Sequence, residues 1–119
     1  MGNIYFERES FENDIELDVN LDVLNRIYGD GITPSDKLNI EFFFLTNTKD
    51  KAEVFKNILQ KSYPKYKEIK TGIYKDSFEV SGVTAPIQMS LLSINEWNMV
   101  MWNLGYKYDC KLDGWQVGI

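Results

Sequence analysis

Few residues of this chain could make or break a bond. It has no histidine and a single cysteine, Cys110, which excludes a Cys–His nucleophile pair and a His-containing zinc site and leaves no internal disulfide to form. A lone thiol of this kind reads as a small buried residue rather than a reactive one. There is no glycine-rich phosphate cradle of either common spacing, and no Gly-x-Ser-x-Gly elbow to present a serine. Carboxylates remain. Asp109 and Asp113 could meet Glu41 or Glu79 across a sheet, as an acid–base pair or a hard-metal site. Isolated carboxylates at strand ends more often cap turns or stay solvated, so no catalytic residue, metal or cofactor is assigned. Lys61, Lys65, Lys67, Lys70 and Lys75, interleaved with Tyr63, Tyr66 and Tyr74, form a set that could hold single-stranded nucleic acid. The RNA-recognition signature, however, is missing from Phe78-Glu79-Val80-Ser81, and lysines along a strand also guard it against edge-to-edge aggregation, the weightier reading here.

Charge says more. The formal net charge is −5, and it is unevenly placed: residues 1 to 31 hold eight acidic side chains against two arginines, while the remainder holds ten against eleven lysines. Acidic surface repels a phosphate backbone, so direct binding of nucleic acid is not expected; a basic protein, such as an enzyme that handles nucleic acid, is the better partner. Glu9, Glu12, Asp14 and Glu16 are the candidate partner-binding acids. The competing reading is a solvated arm that only aids solubility.

These side chains need a frame. A chain of 119 residues makes one domain, and no apolar run approaches the ~18 residues of a membrane span. Residues 1–15 lack a basic leader with an uninterrupted apolar stretch, so the expected location is cytoplasmic, with no membrane partner. Residues 1–17 read as an acidic arm, extended or strand-like, ahead of a single domain over 18–119. Asp18 is expected to cap a short helix with Leu21, Leu24, Ile27 and Tyr28 facing the core, ended by Gly29-Asp30-Gly31.

Leu38 to Leu45 is the clearest strand, with Leu38, Ile40, Phe42 and Phe44 on one side and Asn39, Glu41, Phe43 and Leu45 on the other. Thr46-Asn47-Thr48 offers caps to a helix over 49–62 that buries Ala52, Phe55, Ile58 and Leu59. Strands near 65–74 and 78–84 are joined by a turn at Lys75-Asp76. Ser93 and Glu96 form a capping box for a strongly apolar helix that carries Ile94, Trp97, Met101 and Leu104 and stops at Gly105. A last strand covers about 111–117, in which Gly114 suits a turn of positive φ and Trp115 anchors the strand against the helix bearing Trp97.

Beyond the arm and first helix, the order strand, helix, strand, strand, helix, strand is that of a ferredoxin-like split βαβ sandwich. This is an α+β fold whose four-stranded antiparallel sheet carries its helices on one face. The open face would display Phe43 and Leu45, which the arm, a second copy or a partner protein would cover; a homodimer through that face is one expectation.

Three short pieces add a resemblance. Leu24-x-x-x-Tyr28-Gly29-Asp30-Gly31 closes the first helix, Ile40-Glu41-Phe42 opens the first strand, and Leu112-Asp113-Gly114-Trp115 follows the last helix. Together they resemble the family of the regulator of ribonuclease activity B, a protein inhibitor of ribonuclease E, over roughly residues 18–117. The resemblance implies an acidic, ferredoxin-like protein without catalytic residues, in which Gly29, Asp30, Gly31, Glu41, Asp113, Gly114 and Trp115 are motif positions of chiefly structural role. Here the acidity lies at the N-terminal end, not in the long acidic C-terminal tail of some members. The expectation is a non-enzymatic, protein-binding regulator whose partner is a ribonuclease. The rival readings are an immunity protein that neutralises a toxin, for instance a nuclease, and a small carboxylate-dependent enzyme.

Overall fold

The computed structural model describes residues 2–118. Its elements in chain order are α1 (Arg8–Asn13), α2 (Asp18–Gly29), β1 (Lys37–Leu38), β2 (Glu41–Thr46), α3 (Lys49–Ser62), β3 (Lys67–Tyr74), β4 (Ser77–Val83), β5 (Ile87–Gln88), α4 (Leu91–Lys107) and β6 (Lys111–Gln116). The main sheet runs β3-β4-β2-β6 with every neighbouring pair antiparallel, the split βαβ arrangement expected from the order of elements.

Alternation along β2 decides where the core lies. Phe42, Phe44 and Thr46 are buried while Glu41, Phe43 and Leu45 are partly exposed, so the even positions face the helices and the odd ones the open side. Phe44 packs edge-on to Phe55 of α3, and Phe42 lies near Tyr66 and Trp97. Directly across from Phe42 stands Gly82, where a Cβ would come within 2.8 Å of the Phe42 ring; the glycine makes room for the aromatic.

α3 begins and ends where its caps predict. Thr48 accepts the Lys51 N–H through its side chain, and Ala52, Phe55 and Leu59 are buried, with Ile58 only half-buried. The turn between β3 and β4 is tight, with Lys75 at φ 54°.

Several local expectations are corrected. The strand foreseen over 38–45 is two pieces: β1 leaves the main sheet to pair with β5, and Asn39-Ile40 bridges to β2. The break is held by Thr84, whose hydroxyl oxygen accepts the Ile40 N–H at 3.0 Å and whose carbonyl accepts from the Asn39 amide at 2.7 Å. α4 starts one turn earlier than the Ser93 box. Ser90 is the cap, its side chain accepting the Ser93 N–H at 3.2 Å, because Leu91 and Leu92 extend the helix backward at little cost in propensity.

Nor does Gly105 stop α4. It sits inside the helix because a Cβ there would lie 2.2 Å from the Cys110 carbonyl oxygen; the left-handed residue that ends the helix is Asp109, at φ 57°. α2 has no side-chain cap at its start. Its buried face is Asn20, Leu24 and Ile27, with Leu21 46% exposed. Gly31, at φ 95°, does supply the left-handed turn after it.

The N-terminal arm is not a strand. It carries the short helix α1, and its Phe6 is fully buried, packed edge-on against Trp102 and Tyr106 of α4 while Phe11 stacks on Tyr106.

Candidate functional site

The arm is fastened by one side chain. Asp109, 5% exposed, accepts the backbone N–H groups of Ile4, Tyr5 and Phe6 at 2.6–3.1 Å and takes an ion pair from Lys51 Nζ at 2.6 Å. Three successive N–H groups converging on a carboxylate form an anion-binding nest. Burial alone would raise the Asp109 pKa, but the Lys51 ammonium and the arm's N–H groups outweigh it and hold the carboxyl below its ordinary value. Asn3 adds a bond from its amide to the Tyr106 carbonyl at 2.6 Å, and Trp102 donates its indole N–H to Phe11 O at 2.9 Å.

Docking the arm on α4 builds a cleft beside the edge strand β6. It has a volume of about 520 Å³, and its walls bring Asp14 and Glu16 of the arm together with Asp113, Gly114 and Trp115 of β6. Beneath them a polar network ties three elements. Trp115 donates its indole N–H to Asn20 Oδ1 at 2.9 Å, and the Asn20 amide donates to Asn95 Oδ1 at 2.9 Å. Asn20 is 2% exposed, so its place on the core face of α2 is a hydrogen-bonding position, which is why Leu21 turns outward. Asn98, 7% exposed on α4, also lines the cleft. Lys111 stands at the rim with Nζ 3.5 Å from Asp14 and lying over the rings of Trp102 and Phe6. A side-chain bond from Ser10, with Lys111 nearby, keeps the Asp14 carboxyl below its usual range.

The predicted site residues divide accordingly. Asp14 and Glu16 meet Asp113, Gly114 and Trp115 in the cleft; Glu9 and Glu12 lie exposed on α1, Glu12 paired with Arg8 at 2.8 Å. Phe43 and Leu45 stay on the other face of the sheet, half-buried. Gly29, Asp30 and Gly31 end α2 away from the cleft, and Glu41 bonds Gln116 across β2 and β6. One structural role comes out differently than expected: Gly114 has no positive φ, and pairs with Phe43 beside a bulge that leaves Asp113 unpaired on β6. Trp115 stands across from the buried Phe42, packs against the core and donates to Asn20 of α2, while Trp97 bonds Tyr66 at 3.2 Å.

Asp109 and Asp113, weighed above as partners of Glu41 or Glu79 across the sheet, serve apart: Asp109 is bound to the arm and Asp113 lies on the cleft wall, while Glu41 stands across from Gln116 and Glu79 across from Leu45. Burial pushes the Cys110 thiol up to about 12, so it stays protonated at neutral pH and is a poor nucleophile. Among the described residues no three His, Cys, Asp or Glu side chains gather to hold a metal ion, and no helix is long and apolar enough to cross a membrane.

Sequence reasoning missed Asn20, Asn98, Lys111 and the role of Asp109. Two asparagines at core-facing positions of otherwise apolar helix faces were the available signal, since a buried amide must find a partner. Nothing in the spacing links Asp109 to residues 4–6.

The family described as Regulator of ribonuclease activity B matches residues 17–117 of the chain. No curated protein matches it.

Proposed function

We propose, on the premise that this chain belongs to the family of the regulator of ribonuclease activity B, that it is a non-catalytic regulator that binds a ribonuclease in the cytoplasm and restrains it. The single observation that carries this reading is the family match over residues 17–117. It is supported by the acidic surface around the cleft, since an enzyme that grips RNA presents cationic surface that acids can meet. The immunity-protein and carboxylate-enzyme readings gain no comparable support.

The arm, residues 2–16, lies outside the matched range. In this reading it adds the exposed acids Glu9, Glu12, Asp14 and Glu16 to a common family frame, and these steer association. The open face with Phe43 and Leu45 is the second candidate contact surface, for the ribonuclease or for another copy of the chain.

The test adds the purified protein to the endoribonuclease of its own cells and follows RNA cleavage. Cleavage should slow saturably as the complex forms, with no turnover of RNA by the regulator alone. Association should slow as salt rises, because exposed charges are screened over about 8 Å at physiological ionic strength. Reversing the four acids to lysine should lower the on-rate and leave the fold intact. An unchanged cleavage rate, with no complex on calorimetry, overturns the reading.

A further inference from the structure

We propose that the groove between α4 and the turn joining α3 to β3 is a docking site for an extended, proline-rich segment of another protein that carries a basic residue. The proposal goes beyond the regulator reading and stands without it, and it concerns the side of α4 turned away from the arm. Asn98 and Trp102 line the cleft beside β6, whereas Glu96, Trp97 and Val100 line this groove. Glu96 and Val100, two positions either side of Asn98, lie roughly 200° around the helix from it.

The groove begins with a local sequence signal. Tyr63-Pro64-Lys65-Tyr66 is a turn in which the Tyr66 N–H donates to the Tyr63 carbonyl at 2.9 Å, with proline at the position whose φ it presets. The turn brings its two rings into a stack, 4.6 Å between centres and 19° from parallel. Tyr66 is also fixed from behind: its hydroxyl accepts the Trp97 indole N–H at 3.2 Å, and its ring lies 5.8 Å from that of the buried Phe42. Pro86 and Val100 extend this lining and are exposed, while both tyrosines are half-buried. Aromatic surface held in place before a ligand arrives costs little ordering on binding.

Two features say what this surface takes. Glu96 is the one charged side chain among the described lining residues; it is exposed and makes no ion pair with any described residue, so its complement is a lysine or arginine. The Tyr66 hydroxyl, having accepted from Trp97, finds no acceptor for its own proton among the described residues, and a ligand that brings a carbonyl oxygen satisfies it.

A polyproline II segment meets both demands. It has no internal hydrogen bonds, so its carbonyls are unspent, its backbone is already ordered, and such segments dock in aromatic-lined grooves. An added strand would need a row of backbone partners, but the walls are α4, two loops and Ile87 of β5, which is already paired with β1. The volume of about 350 Å³ suits a short segment.

The experiment titrates the full chain, labelled with nitrogen-15, with acetyl-Pro-Pro-Arg-Pro-Pro-amide and with two controls, acetyl-Ala-Ala-Arg-Ala-Ala-amide and acetyl-Pro-Pro-Gln-Pro-Pro-amide. The signal followed is the Trp97 indole N–H, which reports on the Tyr66 hydroxyl. The first peptide should shift it saturably, the alanine peptide should not, and the glutamine peptide should bind more weakly. Tyr63→Ala should weaken binding about tenfold, the loss of one aromatic anchor. Glu96→Gln, at an exposed position that leaves the fold intact, should weaken it about threefold, the scale of an exposed charge pair.

Equal shifts with the alanine peptide, or equal affinity of the arginine peptide in parent and Glu96→Gln, overturn the site. So does a Trp97 signal that moves with protein concentration alone, which assigns the groove to a second copy of the chain. Saturable shifts with decauridylate and none with the first peptide overturn it in favour of nucleic acid.

Discussion

The arm flank and the open face of the sheet both leave aromatic surface to be covered, and they cover it by opposite means. On the flank, Phe6 is brought in from the far end of the chain and fully buried against α4, held by a buried carboxylate that collects three N–H groups and an ammonium. On the open face, Phe43 lies between Ser81 and Gly114 and Leu45 between Glu79 and Lys111, and both remain half-buried. The first solution depends on one charge; the second on many small contacts made by strands that pair anyway. The flank is therefore the place where the loss of one charge is expected to matter most, and the cleft is built on that flank.

The largest expected effect removes what the latch delivers. Phe6→Ala takes a fully buried ring from between Trp102 and Tyr106 and should cost about 3–5 kcal/mol in a urea titration, together with loss of hydrogen-exchange protection at the arm amides. A loss below ~1 kcal/mol would mean that the arm is not part of the cooperative unit, and would dissolve the contrast with the open face.

Next is the latch itself. Asp109→Asn keeps a residue that tolerates the left-handed backbone but removes the charge that Lys51 and the nest bind, a loss of about 2–3 kcal/mol for hydrogen bonds to a charged group. The effect should depend on pH. Because the folded carboxyl titrates below its unfolded value, its stabilisation is fully present above about pH 4, the ordinary aspartate value, and is lost as pH falls through the lower folded value. Parent and Asp109→Asn should thus converge in acid. A gap that stays constant from pH 7 to pH 3 would show that the cost lies in geometry and not in charge.

A smaller effect probes the junction of flank and sheet. Trp115→Phe keeps most of the ring yet leaves Asn20 Oδ1 buried without its donor, at about 1–2 kcal/mol. Asn20→Ala in the same protein should recover part of that loss, since the buried Asn20 acceptor is then gone, while Asn95 Oδ1, which loses its Asn20 donor, belongs to a half-buried residue that can turn to water. Strictly additive losses would deny the coupling between α2 and β6.

The smallest stability effect is expected on the open face. Phe43→Ser should cost no more than about 1 kcal/mol, because the side chain is already partly in water. Dissociation of a bound ribonuclease, or self-association seen by sedimentation, is the property it should change. A midpoint shift as large as that of Phe6→Ala would make the open face a second core.

Periodicity and capping in the sequence by themselves determined the order of the four strands of the main sheet and of α2, α3 and α4, though not α1 or the β1–β5 pair. The alternation of Phe42 and Phe44 with Phe43 and Leu45, the Thr48 cap of α3 and the turn at Lys75-Asp76 are local signals, written within a few residues of what they control. The motif Asp113-Gly114-Trp115 was legible too, though not its use: that Trp115 would seek an amide on α2 depends on how two distant elements pack. Gly105 shows the same limit. Its position suggested a helix stop, whereas its purpose is to admit the Cys110 carbonyl from a turn that only the folded chain brings close. Tertiary structure alone decided that the arm docks, that Asp109 latches it, and that its acids and β6 enclose a single cleft. Those contacts join residues about a hundred positions apart, and no spacing pattern carries information across such a distance; three-dimensional proximity does.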